Sequence, residues 1–478
     1  MPIPISLAHT PTPLPILTSF LAPHQWYIDG FHLFDFFTDD LWSAVDPAWR
    51  AFVDAEAADK GADAWINVLV GVACGADVPS GWPSGLADVV KGAREVAFGR
   101  EAEGDDVEDE EACRLAAMSR KKLHEVERMA RVVRDVTRRH NVDAIIDVGA
   151  GTGYLTHTLA AQNPQLQLYA LDSDVTRTHG SLTRGARILP SIHHQKKPAK
   201  PTSSSSPQLH HPPIKHITAY LTPTTLAEHC QNRENSLVLV GLHACGDLGG
   251  RTLLDTFAHC PAVKALVVSC CCYQRIALSN DPSDTHVGFP LSTALRDILA
   301  ASTLKITHRG LAAASLTFAS FKDRATIKHA LRGHYHRALL QFLLAQIHPP
   351  PPTSTTTTTT TTTRVGSVPH TATTSFPLYA AAALHKLNIP LTPHIETLIA
   401  TLATTTTTAL ARIAFLCTLR STLGPALESL VIADRANRAR ECVDACGGGE
   451  VRVSNVFEYT KSPRNTVLVA EKGSELSF

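Results

Sequence analysis

The sequence predicts an α/β protein with a Rossmann-like, mainly parallel sheet, and three observations carry that expectation. Residues 144–148 (AIIDV) form a short apolar run, long enough for one buried strand of a parallel sheet. Glycines follow at alternate positions, Gly149, Gly151 and Gly153, and residues 154–161 (YLTHTLAA) then begin a helix. Further apolar runs of strand length recur at 166–171, 235–242 and 263–269. A strand, a glycine turn and a helix make a nucleotide cradle. Glycine bends the backbone at positive φ and leaves no Cβ between main chain and ligand.

Composition sets the outer bounds. At 478 residues the chain is long for one compact domain, so two lobes, or one with large insertions, are expected. Lys plus Arg equals Asp plus Glu at 44 each, so net charge points to neither nucleic acid nor membrane and any basic surface must be local. The eleven cysteines form no small-domain framework, and residues 1–23, rich in Pro and Thr, lack the basic start of a secretory signal. Reduced thiols and an intracellular address, cytoplasmic or nuclear, are expected. No apolar run reaches the ~18 residues of a membrane span, so none is expected. The regions read as a helical N-terminal part (1–115), a core (116–290) with a low-complexity insertion (190–213), a helical insertion (291–423) with a Thr-rich loop (349–374), and a C-terminal part (424–478) that completes the sheet.

In chain order, residues 26–49 are the most aromatic stretch, with Phe31, Phe34, Phe37 and Leu41 at helical spacing. Packing is the expected role, because a base-stacking platform needs positive charge beside exposed rings and this stretch is acidic. Residues 101–111 (EAEGDDVEDEE) read as a solvated acidic loop. From Met118 a helix is predicted in which Val126, Met129, Ala130, Val133 and Val136 make one apolar stripe. Arg120, Lys121, Lys122, Arg128, Arg131, Arg134, Arg138 and Arg139 fall on its other faces, as a charged surface or as phosphate contacts.

The loop pattern is D-x-G-x-G-x-G, with Asp147 inside the strand end, rather than the G-x-G-x-x-G of dinucleotide sites. It resembles motif I of the class I S-adenosylmethionine-dependent methyltransferases. That resemblance implies that Gly149, Ala150, Gly151 and Gly153 pack against the cofactor, and that Asp147 lies beneath its methionine part. The next predicted strand ends in Asp172-Ser173-Asp174, about twenty residues on, where a carboxylate accepts both ribose hydroxyl protons. Asp172 is the first choice and Asp174 the second.

Residues 190–213 are too polar to fold and read as an insertion, as do Thr353 to Thr363 behind the prolines at 349–352, and Thr404 to Thr408. The strand at 235–242 ends in His243-Ala244-Cys245-Gly246-Asp247, and that at 263–269 in Cys270-Cys271-Cys272-Tyr273. Ligands of open parallel sheets lie beyond the carboxyl ends of the strands, so both segments are expected at the methyl-transfer site. His243 suits a general base if Asp247 or a backbone carbonyl orients it. Cys245, Cys271 or Cys272 suits a thiolate nucleophile, and Tyr273 is the nearest aromatic to stack on a flipped base. Cys270 to Cys272, with Cys245 and His243, offer zinc-type ligands, but neighbouring cysteines on a strand point opposite ways, so no metal ligands are assigned. Residues 291–347 and 375–423 look mainly helical, and strands at 450–459 and 465–471 form a terminal hairpin around Ser462-Pro463-Arg464-Asn465.

Several stretches together resemble the methyltransferase-like protein 25 family, which includes proteins labelled as carrying a ribosomal RNA adenine dimethylase domain. They are FHLFDFFTDDLW (31–42), MSRKKLHEV (118–126), DVGAGTGYLTHTLA (147–160), GLHACGDL (241–248), Cys271-Cys272-Tyr273 and SPRN (462–465). The family implies a class I fold with S-adenosylmethionine as cofactor; the terminal hairpin would complete a seven-stranded sheet with its last strand antiparallel, and the expected substrate is RNA or an RNA-associated protein. His243-Ala244-Cys245-Gly246 stands where adenine N6 methyltransferases carry an Asn/Asp-Pro-Pro-Tyr motif. The same segment and the cysteine run resemble the two motifs of enzymes that methylate a ribose 2′-hydroxyl in the transfer RNA acceptor stem. The rival reading is a cofactor-binding, catalytically silent scaffold whose helical insertion recruits a partner.

Overall fold

The computed structural model describes residues 2–103, 118–194, 214–229, 236–279, 287–321, 323–347, 365–366, 368–405 and 408–473, with the side chains of 186–194, 223, 227, 229, 320, 370 and 405 left out. Most of the acidic run at 101–111, nearly all of the insertion at 190–213, Thr353 to Thr363 and part of Thr404 to Thr408 lie outside the described residues.

Seven strands form one sheet: β1 Ala144–Val148, β2 Gln167–Asp172, β3 Lys215–Thr218, β4 Leu237–Cys245, β5 Val263–Cys271, β6 Gly449–Asn455 and β7 Thr466–Lys472. Their order is β3-β2-β1-β4-β5-β7-β6. Strands β1 to β5 pair in parallel, β7 runs antiparallel to β5, and β6 is antiparallel to β7. This is the seven-stranded class I methyltransferase sheet, with the terminal hairpin in its expected place.

Burial explains why the central strands read as unbroken apolar runs. Every residue of β1 is buried, as a parallel strand covered on both faces requires. One covering layer is the helix Arg120–His140, whose Val126, Met129, Ala130, Val133 and Val136 join Ile145, Leu155, Leu168, Val238, Val240 and Val267 in a single core. Ser119 caps that helix by accepting the Lys122 N–H, and Asn141 closes it in the left-handed conformation. Arg128 does not face solvent as the sequence pattern implied. It is buried and donates to the Glu103 and Val456 carbonyls at 2.7 and 2.9 Å.

Two local expectations change. Edge strand β3 (KHIT) carries no recognisable pattern in the sequence, being four residues long with one buried side chain. The aromatic stretch at 26–49 is not one helix. It breaks into the helix Gln25–Asp29 and tight turns at Leu33–Asp35 and Leu41–Ala44, because Asp40 takes a left-handed φ of 44°. Its rings are nevertheless packed: Phe31, Phe36, Leu41 and Trp42 are buried, and Arg420 lies over the Phe31 ring.

The chain divides into two compact units. One comprises Met1–Ser19, Val96–Ser315 and Leu427–Phe478 and holds the sheet; the other comprises Phe20–Glu95 and Leu316–Ala426 and is helical. The first nineteen residues belong with the sheet because Ile3 bridges Phe98 and Asn437 donates to the carbonyls of Ala8 and Thr10. Among the described residues one helix, Ala409–Ala445, is long and apolar enough to cross a membrane, and its most apolar stretch is 94% buried in the protein, as in a core helix.

The tightest point of the first crossover is Gly153, at φ 75°, where an added Cβ would collide with the Ser181 hydroxyl and the His157 ring. Gly153→Ala should cost about 3 kcal/mol, combining left-handed strain with overpacking. Urea denaturation measures this, and a loss below about 0.5 kcal/mol would show that the turn relaxes freely.

Candidate functional site

The glycine loop is held by its own backbone. The N–H groups of Gly149 and Ala150 both donate to the Leu171 carbonyl at the end of β2, at 2.8 and 3.1 Å. Gly149, Gly151 and Gly153 all take positive φ, of 72°, 57° and 75°. Asp172 accepts the Gly151 N–H through Oδ2 at 2.8 Å and the Asp174 N–H through Oδ1 at 2.9 Å. The ends of β1 and β2 are thereby stitched together around a carboxylate that keeps lone pairs for further donors. A Cβ placed on Gly151 meets no protein atom closer than the Gly149 carbonyl at 4.0 Å, so the space before the loop is open. Ala150 is half-buried there and Gly149 is exposed.

Asp147 lies beneath this loop, fully buried, with the Thr156 hydroxyl donating to its Oδ2 at 2.6 Å. Burial pushes its carboxyl up to about 6, against the Thr156 hydrogen bonds, and the charge of Asp172 adds to the push. Asp147, the three glycines, Ala150 and Asp172 therefore converge as the sequence predicted. They leave an open, backbone-lined face before Gly151 with room for a flat ligand.

The neighbouring end of β4 is irregular. Its pairing with β5 slips between Leu242 and Ala244, and His243 takes a φ of 59°, a conformation rare outside glycine. The His243 Nε2 lies 3.0 Å from Oε2 of Glu125, a carboxylate 5% exposed on the helix Arg120–His140. Burial works to raise the Glu125 pKa, but the His243 hydrogen bond and charge, with Ser462 and Lys121, carry it below the usual value. Glu125, not Asp247, is thus the group that orients His243. Asp247 instead accepts the Ala277 N–H at 2.9 Å. The sequence signal for Glu125 was its place in MSRKKLHEV, where it interrupts the charged face next to Val126.

The thiols of Cys245 and Cys271 stand 3.1 Å apart, both within reach of the His243 carbonyl, at 3.3 and 3.4 Å. The Cys271 hydrogen bond, despite partial burial and helped by Cys272, Arg275 and His243, lowers Cys245 to about 6. The same bond, together with burial, pushes Cys271 up. Tyr273 is not available for stacking: it is 2% exposed and its hydroxyl donates to Glu428 at 3.0 Å. Burial, then the Glu428 charge, keeps the phenol well above its ordinary pKa and therefore protonated. Glu428 also pairs with Arg100 and Arg464, while Arg435 donates to the Gly246 carbonyl at 3.0 Å and steadies the loop after β4.

The fold is that of a class I methyltransferase domain. The sequence profile of a family described as a methyltransferase domain matches residues 121–279, from the helix carrying Glu125 to just beyond Tyr273. The chain is also similar to the probable methyltransferase-like protein 25 of Homo sapiens, 34% identical over 71 residues, and of Mus musculus, 35% identical over 80 residues. These matches span 15% and 17% of this chain and only 12% and 13% of the relatives. No solved structure gives a significant match.

Asp147 yields a pH test. Its folded pKa of about 6 lies above the ordinary 3.8, so its contribution to stability is fully present below about pH 4 and is lost as pH rises through about 6. From about pH 4 to about pH 7.5 the wild type should lose about 3 kcal/mol relative to Asp147→Asn. Urea midpoints of both proteins at each pH measure it, and a difference independent of pH would mean that Asp147 titrates as an ordinary surface carboxylate.

Proposed function

We propose that this protein is an S-adenosylmethionine-dependent methyltransferase whose acceptor is RNA or an RNA-associated substrate. The observation that carries the cofactor assignment is the open space before Gly151, walled by positive-φ backbone and bordered by Asp172. Asp172 would take the ribose hydroxyls, the glycine loop would lie against the adenosine and methionine chain, and Asp147 would support that loop from below. When bound, the cofactor supplies a methyl group on a sulfonium, ready for in-line displacement, so the protein's task is largely positioning.

His243 is placed for the acceptor's proton. Glu125 engages Nε2, which fixes the ring and leaves Nδ1 as the accepting nitrogen. This arrangement favours a hydroxyl acceptor, which gains from a general base, over an amine, which needs only its lone pair aimed. RNA is favoured by local charge rather than net charge. Arg120, Lys121 and Lys122 are exposed at the start of their helix, and Lys122 and Arg184 flank the Tyr154 ring at 4.0 and 3.6 Å, immediately after the glycine loop. Cations so placed suit a phosphate backbone.

Isothermal titration with S-adenosylmethionine tests the pocket: micromolar binding is expected, with Gly151→Arg losing at least about a hundredfold in affinity because the added side chain stands where the ligand would. Retained affinity in that variant would overturn the loop assignment. Tritiated methyl transfer into RNA and protein fractions of a knockout extract tests the acceptor; label confined to protein would overturn the RNA reading, and binding without any transfer would favour a silent scaffold. Glu125→Gln should lower transfer about thirtyfold while leaving cofactor affinity within about twofold, as expected of a group acting through its histidine.

A further inference from the structure

We propose that Cys245, Cys271 and Cys272 form a binding site for one zinc-type metal ion, with no fourth ligand supplied by the described residues. The three sulfurs all lie within 4.8 Å of one another. A tetrahedral zinc with thiolates at ~2.3 Å spaces them ~3.8 Å apart, so side-chain adjustments of about 1 Å would seat the ion. Soft sulfur donors select zinc over the hard cations magnesium and calcium.

The backbone explains how adjacent cysteines come together. Residues on a strand point to alternate faces, which by sequence alone separates Cys271 from Cys272. Cys272, however, stands beyond the end of β5 with a φ of 52°, and that left-handed turn brings its sulfur round to the side of Cys271. On β4 the slip between Leu242 and Ala244, with His243 at φ 59°, sets Cys245 opposite Cys271 in register. Two non-glycine residues thus hold a conformation that costs about 1–3 kcal/mol each, and both border the thiol cluster. Cys270 points to the opposite face of β5, where its thiol donates to the Gly249 carbonyl at 2.9 Å, and it does not join the three grouped sulfurs.

Charge and coordination number agree with this site. Three thiolates around a divalent ion leave one net negative charge, and Arg275, acting on both Cys245 and Cys272, stands beside it. Each thiol that carries a proton releases it to bulk water as its sulfur takes the metal, and no oxidation state changes. Among the described residues no fourth donor joins the three sulfurs within the same 4.8 Å. Three protein ligands with one open position is the pattern of a zinc that engages water or a substrate rather than of a closed structural site.

The test needs neither S-adenosylmethionine nor an acceptor, so its outcome is separate from that of the methyl-transfer reading. The full chain, purified under reducing conditions, is loaded with zinc, desalted and measured by inductively coupled plasma mass spectrometry; about one ion per chain is expected. Cys272→Ser and Cys245→Ser should each lower retained zinc at least tenfold, and Cys260→Ser should leave it unchanged. Circular dichroism confirms that each variant is folded. Cobalt loading of the wild type, which depends on no variant, should give intense thiolate-to-cobalt charge-transfer absorption. Folded wild-type protein holding less than a tenth of an equivalent of zinc would overturn the site. So would zinc retention unaltered in both variants.

Discussion

The structure depends on how two adjacent parallel strands end. The Leu171 carbonyl at the tip of β2 receives both the Gly149 and Ala150 N–H groups from the tip of β1, and Asp172 receives the next available one, from Gly151. Backbone donors beyond a strand end must find acceptors, and here they find them across the strand pair instead of in a helix or ladder. That stitching is possible only if the chain between them takes positive φ repeatedly, which is why the glycines alternate. Every feature assigned to cofactor binding follows from it: the open backbone face, the placement of Asp172, and the confinement of Asp147 below.

The neighbouring strand ends work by a different device. Where β1 and β2 use glycine to bend, β4 and β5 bend at His243 and Cys272, residues for which the same conformation is strained. Such strain persists only where the surroundings over-determine it. At His243 the buried Glu125 holds the ring; below the same loop, Arg435 holds the Gly246 carbonyl and lies over the Tyr273 ring. Tyr273 in turn is locked by Glu428, whose remaining charge is met by Arg100 and Arg464. Replacing one member of that buried set would leave another charge unpaired, which is far costlier than losing a surface pair. The polar network around Glu428 therefore supports the strand ends that carry His243 and the thiols.

The legibility of the chain divides along the same line. Strand β1, the glycine loop and the apolar stripe of the helix Arg120–His140 were readable because each is a local pattern, of period or composition, written in consecutive residues. Asp172 was readable because a fixed crossover length places it. Strand β3 was not, since an edge strand of four residues has almost nothing to bury. Arg128 was misplaced because helical periodicity assigns a face but does not reveal that Glu103 and Val456 offer carbonyls there.

By itself, then, the amino-acid order determined the sheet, its glycine turn and the two acids at the ends of β1 and β2, because hydrophobic period and backbone freedom are properties of neighbours in the chain. Only the tertiary structure decided which carboxylate holds His243, which cysteines meet and that Tyr273 is sealed away. Glu125 and His243 are separated by more than a hundred positions, and Cys245 reaches Cys271 through strand register. Register and left-handed turns at non-glycine residues are settled by packing across the whole unit, and no short stretch of sequence contains that information.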